Sequence, residues 1–273
     1  MRHIIQLRGH QRLVEARHGY FLYNLHDHYI GKALELYGEY ADQEMRLFAS
    51  LLSPDDQVVE VGANIGTHTI ALAKAVPNGG VHAFEPQPVI FQNLCANLSA
   101  NCCENVLAWP AAVGREKGRL IVPPVDYSSP GNFGGISLKE SGDGVEIDVL
   151  RLDDYASGMQ SLRLLKIDVE GMEKQVIEGG RETIMRLRPI MYVENDRVEH
   201  SQALIETLWD LKYRLYWHIP TLFNPDNFFK NPENIYGNVA AFNMFCVPIE
   251  VEIEVRDAQE VLDSTSHPLK PQN

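Results

Sequence analysis

The sequence predicts an α/β fold built on a mostly parallel sheet with helices on both faces. Three observations predict it. From Gln57 onward, short β-rich apolar runs alternate with segments of helical periodicity. The runs are apolar at nearly every position, as strands buried on both faces are. The first run ends in a glycine turn, Glu60-Val61-Gly62-Ala63-Asn64-Ile65-Gly66, that leads straight into a helical pattern.

Taken in order, residues 1–38 read as an N-terminal appendage or cap. Within it, Tyr20–Tyr23 predicts a short strand and Ile30–Tyr37 a turn or two of helix. Met45, Leu47, Phe48, Leu51 and Leu52 predict a helix packed on a core, ended by the turn Ser53-Pro54-Asp55-Asp56. Strands are expected at Gln57–Val61, Val81–Phe84, Val106–Val113, Leu162–Val169, Ile190–Val193, Tyr213–His218 and Ala241–Val247. Helices are expected at Thr67–Val76, Pro88–Ala100, Glu173–Leu187 and Ser201–Leu211. The main domain is assigned to residues 39–250, interrupted at 114–150 by a β-rich excursion or lid with Pro123-Pro124 and Gly134-Gly135. Residues 251–273 form a C-terminal extension, and Asp263–Asn273 reads as a polar, disordered tail.

The chain has 273 residues, 45% hydrophobic and 22% charged, enough to bury a core without disulfides. Its formal net charge of -13 disfavours nucleic acid as a partner. Cys95, Cys102, Cys103 and Cys246 form no CxxC pair and read as reduced thiols. The N-terminus lacks the apolar run of a signal peptide, and no stretch is apolar enough to span a membrane. A soluble, cytoplasmic protein is expected.

The glycine turn is the first functional signal. Gly62 permits a tight turn, and Gly66 lets the helix start close to the ligand and the sheet. A dinucleotide fingerprint needs a third glycine where Asn64 stands, because a pyrophosphate presses on bare backbone. Glu60 would repel a pyrophosphate but can accept bonds from an ammonium. A methionine carboxylate can meet the helix-start N–H groups and the Thr67 or Thr69 hydroxyl. That set suits S-adenosylmethionine better than a nicotinamide dinucleotide. The second signal is Glu85, placed at the tip of the second strand to hold ribose hydroxyls. The third is Lys166-Ile167-Asp168-Val169-Glu170-Gly171-Met172-Glu173. Asp168 would end a central strand in the crevice where α/β folds bind ligands and face the transferable methyl group.

At Val58–Thr69, Phe84-Glu85-Pro86 and Lys166–Glu173, the sequence resembles the FkbM family of methyltransferases. Gly38-Glu39-Tyr40 and Val193-Glu194 add weaker support. The resemblance covers roughly residues 38–248. It implies a Rossmann-like class I methyltransferase: a seven-stranded sheet with one antiparallel strand, acting on hydroxyl groups of natural products and sugars. It places Glu60, Gly62, Asn64 and Gly66 along the cofactor and Glu85 on its ribose. Residues 1–37 and 114–150 match less well, so acceptor identity does not carry over.

Methyl transfer to an alcohol needs a base or a metal to remove the proton. Asp168 is the first choice of base and His218 the second. His68 reads as a helix-start residue, and His26-Asp27-His28 as surface. Asp168 with Glu194 and Asn195 could hold Mg²⁺, as in the divalent-metal catechol methyltransferases, although Glu194 stands where those have an aspartate. Gly131–Ser137 reads as part of a lid that touches substrate, and Tyr213–Phe229 as core. The competing readings are a nicotinamide-dependent oxidoreductase and a non-catalytic S-adenosylmethionine-binding module.

Overall fold

The computed structural model describes residues 4–255 and 258–270. Strands β1 (Ile4–Gln6), β2 (Gln11–Ala16) and β3 (Gly19–Asn24) open the chain as an antiparallel meander. Helices α1 (Ile30–Tyr37) and α2 (Asp42–Leu51) follow. The alternation begins with β4 (Gln57–Val61), α3 (Thr67–Ala75), β5 (Gly80–Phe84), α4 (Pro88–Ala100) and β6 (Val106–Trp109). After β7 (Ala111–Gly114), β8 (Gly118–Val122), β9 (Val145–Arg151) and the one-turn α5 (Leu152–Tyr155), it resumes. There β10 (Leu164–Ile167), α6 (Glu173–Gly179), α7 (Arg181–Leu187), β11 (Ile190–Glu194) and α8 (Val198–Asp210) lead to β12 (Tyr213–His218), β13 (Asn243–Pro248) and β14 (Gln259–Glu260).

The main sheet has the order β14-β12-β13-β11-β10-β4-β5-β6. Strands β6, β5, β4, β10 and β11 are parallel, and β13 runs against both β11 and β12. This is the expected Rossmann-like seven-stranded pattern, with the two-residue β14 added antiparallel on the β12 edge. The chain moves from β4 to β5 and β6 on one side, then returns to place β10 and β11 on the other. The strand order therefore reverses between β4 and β10, and a crevice opens at their carboxyl ends. Both strands are buried to their tips, so the crevice floor is rigid.

Four expectations change. The third strand, expected over Val106–Val113, is divided at Pro110, which has no N–H to continue a ladder. Its second half, β7, leaves the main sheet and joins β9 and β8 in a small sheet that carries the excursion. The helix expected over Glu173–Leu187 is divided at Gly179-Gly180. A Cβ on Gly179 would lie 2.0 Å from the Gly114 carbonyl oxygen, so the backbones touch there. Asp153 then caps α7, accepting N–H bonds from Glu182 and Thr183 at 3.2 and 2.7 Å. The N-terminal segment holds two strands more than expected. Its meander is tied to α4 by Asn97, whose side chain pairs with Leu22 N–H and C=O like a neighbouring strand. Finally, Asp263 to Lys270 is mostly exposed but is held to the sheet through His267 rather than trailing away. His267 is 3% exposed, donates from Nε2 to the Asn195 carbonyl oxygen at 2.8 Å, and meets the Trp217 ring edge-on. Residues 271–273 of the expected tail lie outside the described residues. No helix among the described residues is long and apolar enough to cross a membrane.

Candidate active site

The site is built where β4 ends. Gly62 has φ +90°, and a Cβ there would lie 1.7 Å from the Asp168 carbonyl oxygen. Only glycine lets the β4 and β10 turns approach this closely. The N–H groups of Gly62 and Ala63 both donate to the Phe84 carbonyl oxygen at 2.9 Å, tying the turn to the tip of β5. Asn64 takes a left-handed φ of +49°, which asparagine tolerates well. Its N–H donates to Glu85 Oε2 at 2.9 Å. Gln87 N–H holds the other oxygen at 2.8 Å, so both Glu85 oxygens are oriented by backbone. Gly66 answers a packing demand: a Cβ there would sit 2.7 Å from Leu94 Cδ1 on α4.

Two pockets meet over this turn, sharing Gly62, Glu85, Gly134, Asp168 and Glu170. One is an apolar slot walled by Phe84, Pro86, Ala112, Ile136, Leu138 and Met172. The other is a larger polar cleft lined in part by Tyr40, Glu44, Thr67, His68, Lys166 and Glu194. Segment 131–138 of the excursion walls both. It is anchored by Gln87 Nε2 donating to the Phe133 carbonyl oxygen at 2.9 Å and by Ser137 Oγ donating to the Glu170 carbonyl oxygen at 3.2 Å.

The electrostatics turn on one buried cation. Lys166 is 1% exposed, with Nζ 3.1 Å from Asp168 Oδ2 and 3.7 Å from Glu60 Oε1. Burial pulls its pKa down, but the charges of Asp168, Glu60 and Glu44 outweigh burial and the net shift is upward, so it stays an ammonium. Glu60 is 0% exposed, and its Oε2 accepts the Thr69 hydroxyl at 2.6 Å. Burial pushes the Glu85 carboxyl up to about 7 against its two backbone N–H donors. Burial and the neighbouring Asp168 charge also raise Glu170 and Glu194. One oxygen from each of Asp168, Glu170 and Glu194 lies within 4.8 Å of the others, and Arg197 Nη2 donates to Glu170 at 2.6 Å.

Of the residues expected from sequence, Gly62, Asn64, Thr67, Glu85, Asp168 and Glu194 reach the cleft. Five do not. Glu60 and Thr69 are bonded to each other beneath the turn, and neither lines the cleft. Gly66 faces Leu94. Asn195 donates to Ser201 Oγ and Met244 Sδ on the far side of the strand end, and Glu170 takes its place in the carboxylate group. His218 Nδ1 bonds the Tyr192 hydroxyl at 2.7 Å and stays out of the cleft lining. Sequence reasoning missed Glu44, Tyr40, the cleft role of Glu170 and the slot residues Ile136, Leu138 and Met172. Lys166 carried a usable signal, a lone charge in the apolar run Leu164-Leu165-Lys166-Ile167.

Comparison with known proteins bears on this arrangement. The model of the methyltransferase FkbM domain matches residues 60–215. Methyltransferase 1 of Beauveria bassiana is 30% identical over 147 residues, 46% of this chain and 59% of that protein. The chain therefore spans less than two thirds of that relative. The 2-O-methyltransferase NoeI of Sinorhizobium fredii is 28% identical over 61% of this chain and 75% of its own length. The 31-O-demethyl-FK506 methyltransferase FkbM of Streptomyces tacrolimicus is 32% identical over 55% of this chain and 69% of its own.

The Lys166 cluster makes a stability prediction. Lys166→Met leaves Glu60 buried without its counter-charge and should cost about 3–5 kcal/mol in urea unfolding. Glu60→Gln with Lys166→Met should recover most of that loss. Equal destabilisation of the single and double variants would show that the two groups do not interact.

Proposed function

The chain belongs to the FkbM family of methyltransferases, and from that premise we propose that it transfers a methyl group from S-adenosylmethionine to a hydroxyl of a sugar or other small natural product. The observation that carries the donor assignment is the junction of the two pockets at Glu85. In this reading the adenine ring takes the apolar slot, and the ribose hydroxyls donate to the carboxylate that Asn64 and Gln87 hold in place. The methionine end then crosses Gly62 into the polar cleft, with its carboxylate at Thr67 and the first N–H groups of α3. A nicotinamide dinucleotide fits poorly: its pyrophosphate would face Glu85, Asp168 and Glu170.

Asp168 is the proposed base. Its side chain is 37% exposed, lines both pockets, and is held on one oxygen by Lys166. The acceptor oxygen attacks the methyl carbon as the sulfur–carbon pair stays with sulfur, and the hydroxyl proton passes to Asp168. The products are a methyl ether and S-adenosylhomocysteine. Oxygen as the acceptor atom draws support from the two relatives whose names specify O-methylation. The surplus of carboxylates disfavours anionic acceptors.

A second reading has one specific observation behind it. Glu194 Oε2 is buried without a hydrogen-bond partner beside Asp168 and Glu170, and an all-oxygen set suits a hard cation such as Mg²⁺. Bound there, the cation would polarise the acceptor hydroxyl. Loss of turnover in EDTA, restored by Mg²⁺, is the expected result of that reading; full turnover in EDTA removes it.

For the main reading, the wild type should show a thermal shift with S-adenosylmethionine and none with NAD. Asp168→Ala should keep that shift and lose at least about 100-fold in turnover. Unchanged turnover would refute the role given to Asp168. Glu85 adds a pH dependence. Its carboxylate is the better acceptor for ribose hydroxyls, and with a pKa of about 7 it is mostly protonated at pH 6. Affinity for S-adenosylhomocysteine should therefore rise with pH, about tenfold from pH 6 to pH 8. Calorimetry on Glu85→Gln should show a flat profile, and a slope kept in that variant would assign the titration elsewhere.

A further inference from the structure

Glu44 is a carboxylate in the first turn of α2, 5% exposed, in the wall of the polar cleft. A charge so deeply placed needs strong partners, and those of Glu44 are weak in geometry. His68 Nε2 lies 3.1 Å from its Oε2 but out of line, so that nitrogen makes no hydrogen bond. Asn243 Nδ2 reaches its Oε1 only at 3.4 Å. Lys166, the nearby ammonium, is bonded to Asp168 instead. Glu60 has the Thr69 hydroxyl on Oε2 and the Lys166 charge 3.7 Å from an Oε1 without a hydrogen bond, but it is fully buried and does not line the cleft.

We propose that Glu44, and not Glu60, receives the α-ammonium group of the methionine moiety of S-adenosylmethionine. The assignment rests on the donor reading above and adds a residue outside the glycine turn to it. With adenine in the slot and ribose on Glu85, the amino-acid end must lie beyond Gly62. There the cleft wall is made by Glu44 of α2 and by Thr67 and His68 at the start of α3. The two charged ends of the amino acid thus meet opposite partners: the carboxylate meets the α3 N–H groups and Thr67, and the ammonium meets Glu44. The ligand supplies the full charge-assisted bond that Glu44 lacks. Helix α2 thereby becomes part of the donor site, and cofactor binding fastens it to α3.

The test is a cycle between ligand and protein. Calorimetry measures S-adenosylhomocysteine and its analogue lacking the α-amino group against the wild type, Glu44→Gln and Glu44→Asp. The wild type should bind the amino-bearing ligand at least about tenfold more tightly than the analogue. Glu44→Gln should lose that preference, binding both at the level of the analogue, and Glu44→Asp should keep part of it as the folded control. A preference that persists in Glu44→Gln, or equal weakening of both ligands, overturns the assignment while leaving the donor reading intact. Unchanged binding of both ligands with a fall in turnover would also overturn it, by placing Glu44 at the acceptor. A wild type that binds neither compound overturns the donor reading together with it.

Discussion

Gly62 has no Cβ, and the carbonyl oxygen of Asp168 takes the space one would need. That contact draws the ends of β4 and β10 together at the point where the strand order reverses, and Asp168 N–H completes it by donating to the Val61 carbonyl oxygen at 3.0 Å. Everything else in the site is positioned from there. The turn can donate to Phe84 and Glu85 only because it lies flat against β10. The Asp168 side chain is delivered to the junction of slot and cleft by the same backbone.

The second layer of control is charge. The cleft gathers Glu44, Asp168, Glu170, Glu194 and Asp196 around few cations. Lys166, in the cleft wall, offsets two of these groups, Asp168 and Glu44, and Arg197 offsets Glu170 from the rim. The remaining excess is negative, which matches a donor that carries a sulfonium and an ammonium against one carboxylate. Raised carboxyl pKa values at Glu85, Glu170 and Glu194 have the same origin, burial first and mutual repulsion second.

Much of the fold was legible because strand burial and helical periodicity are local. The glycine turn, Glu85 and Asp168 were legible because each sits at a strand end, where alternating pattern meets turn chemistry. What failed was side-chain direction and long-range contact. Glu60 reads as a ligand group until Thr69 and Lys166 are seen to close over it. Glu194 and Asn195 are neighbours in sequence, but consecutive residues at a strand end face opposite ways, so only one can join Asp168. His218 pairs with Asn243 across β12 and β13, yet Asn243 reaches the cleft and His218 turns to Tyr192. Glu44 and Met172 carry no local signal at all, since their meaning comes from elements far away in the chain. The breaks at Pro110 and Gly179-Gly180 were visible in the residues, although the apolar pattern on either side argued for continuity.

The central claim is that one ligand spans both pockets across Gly62. A crystal structure of the complex with S-adenosylhomocysteine tests it most directly. Adenine is expected between Ile136, Leu138 and Met172, both ribose hydroxyls within hydrogen-bond distance of Glu85, and the amino-acid end in the polar cleft. A ligand seated away from Gly62, or with its ribose out of reach of Glu85, would contradict it.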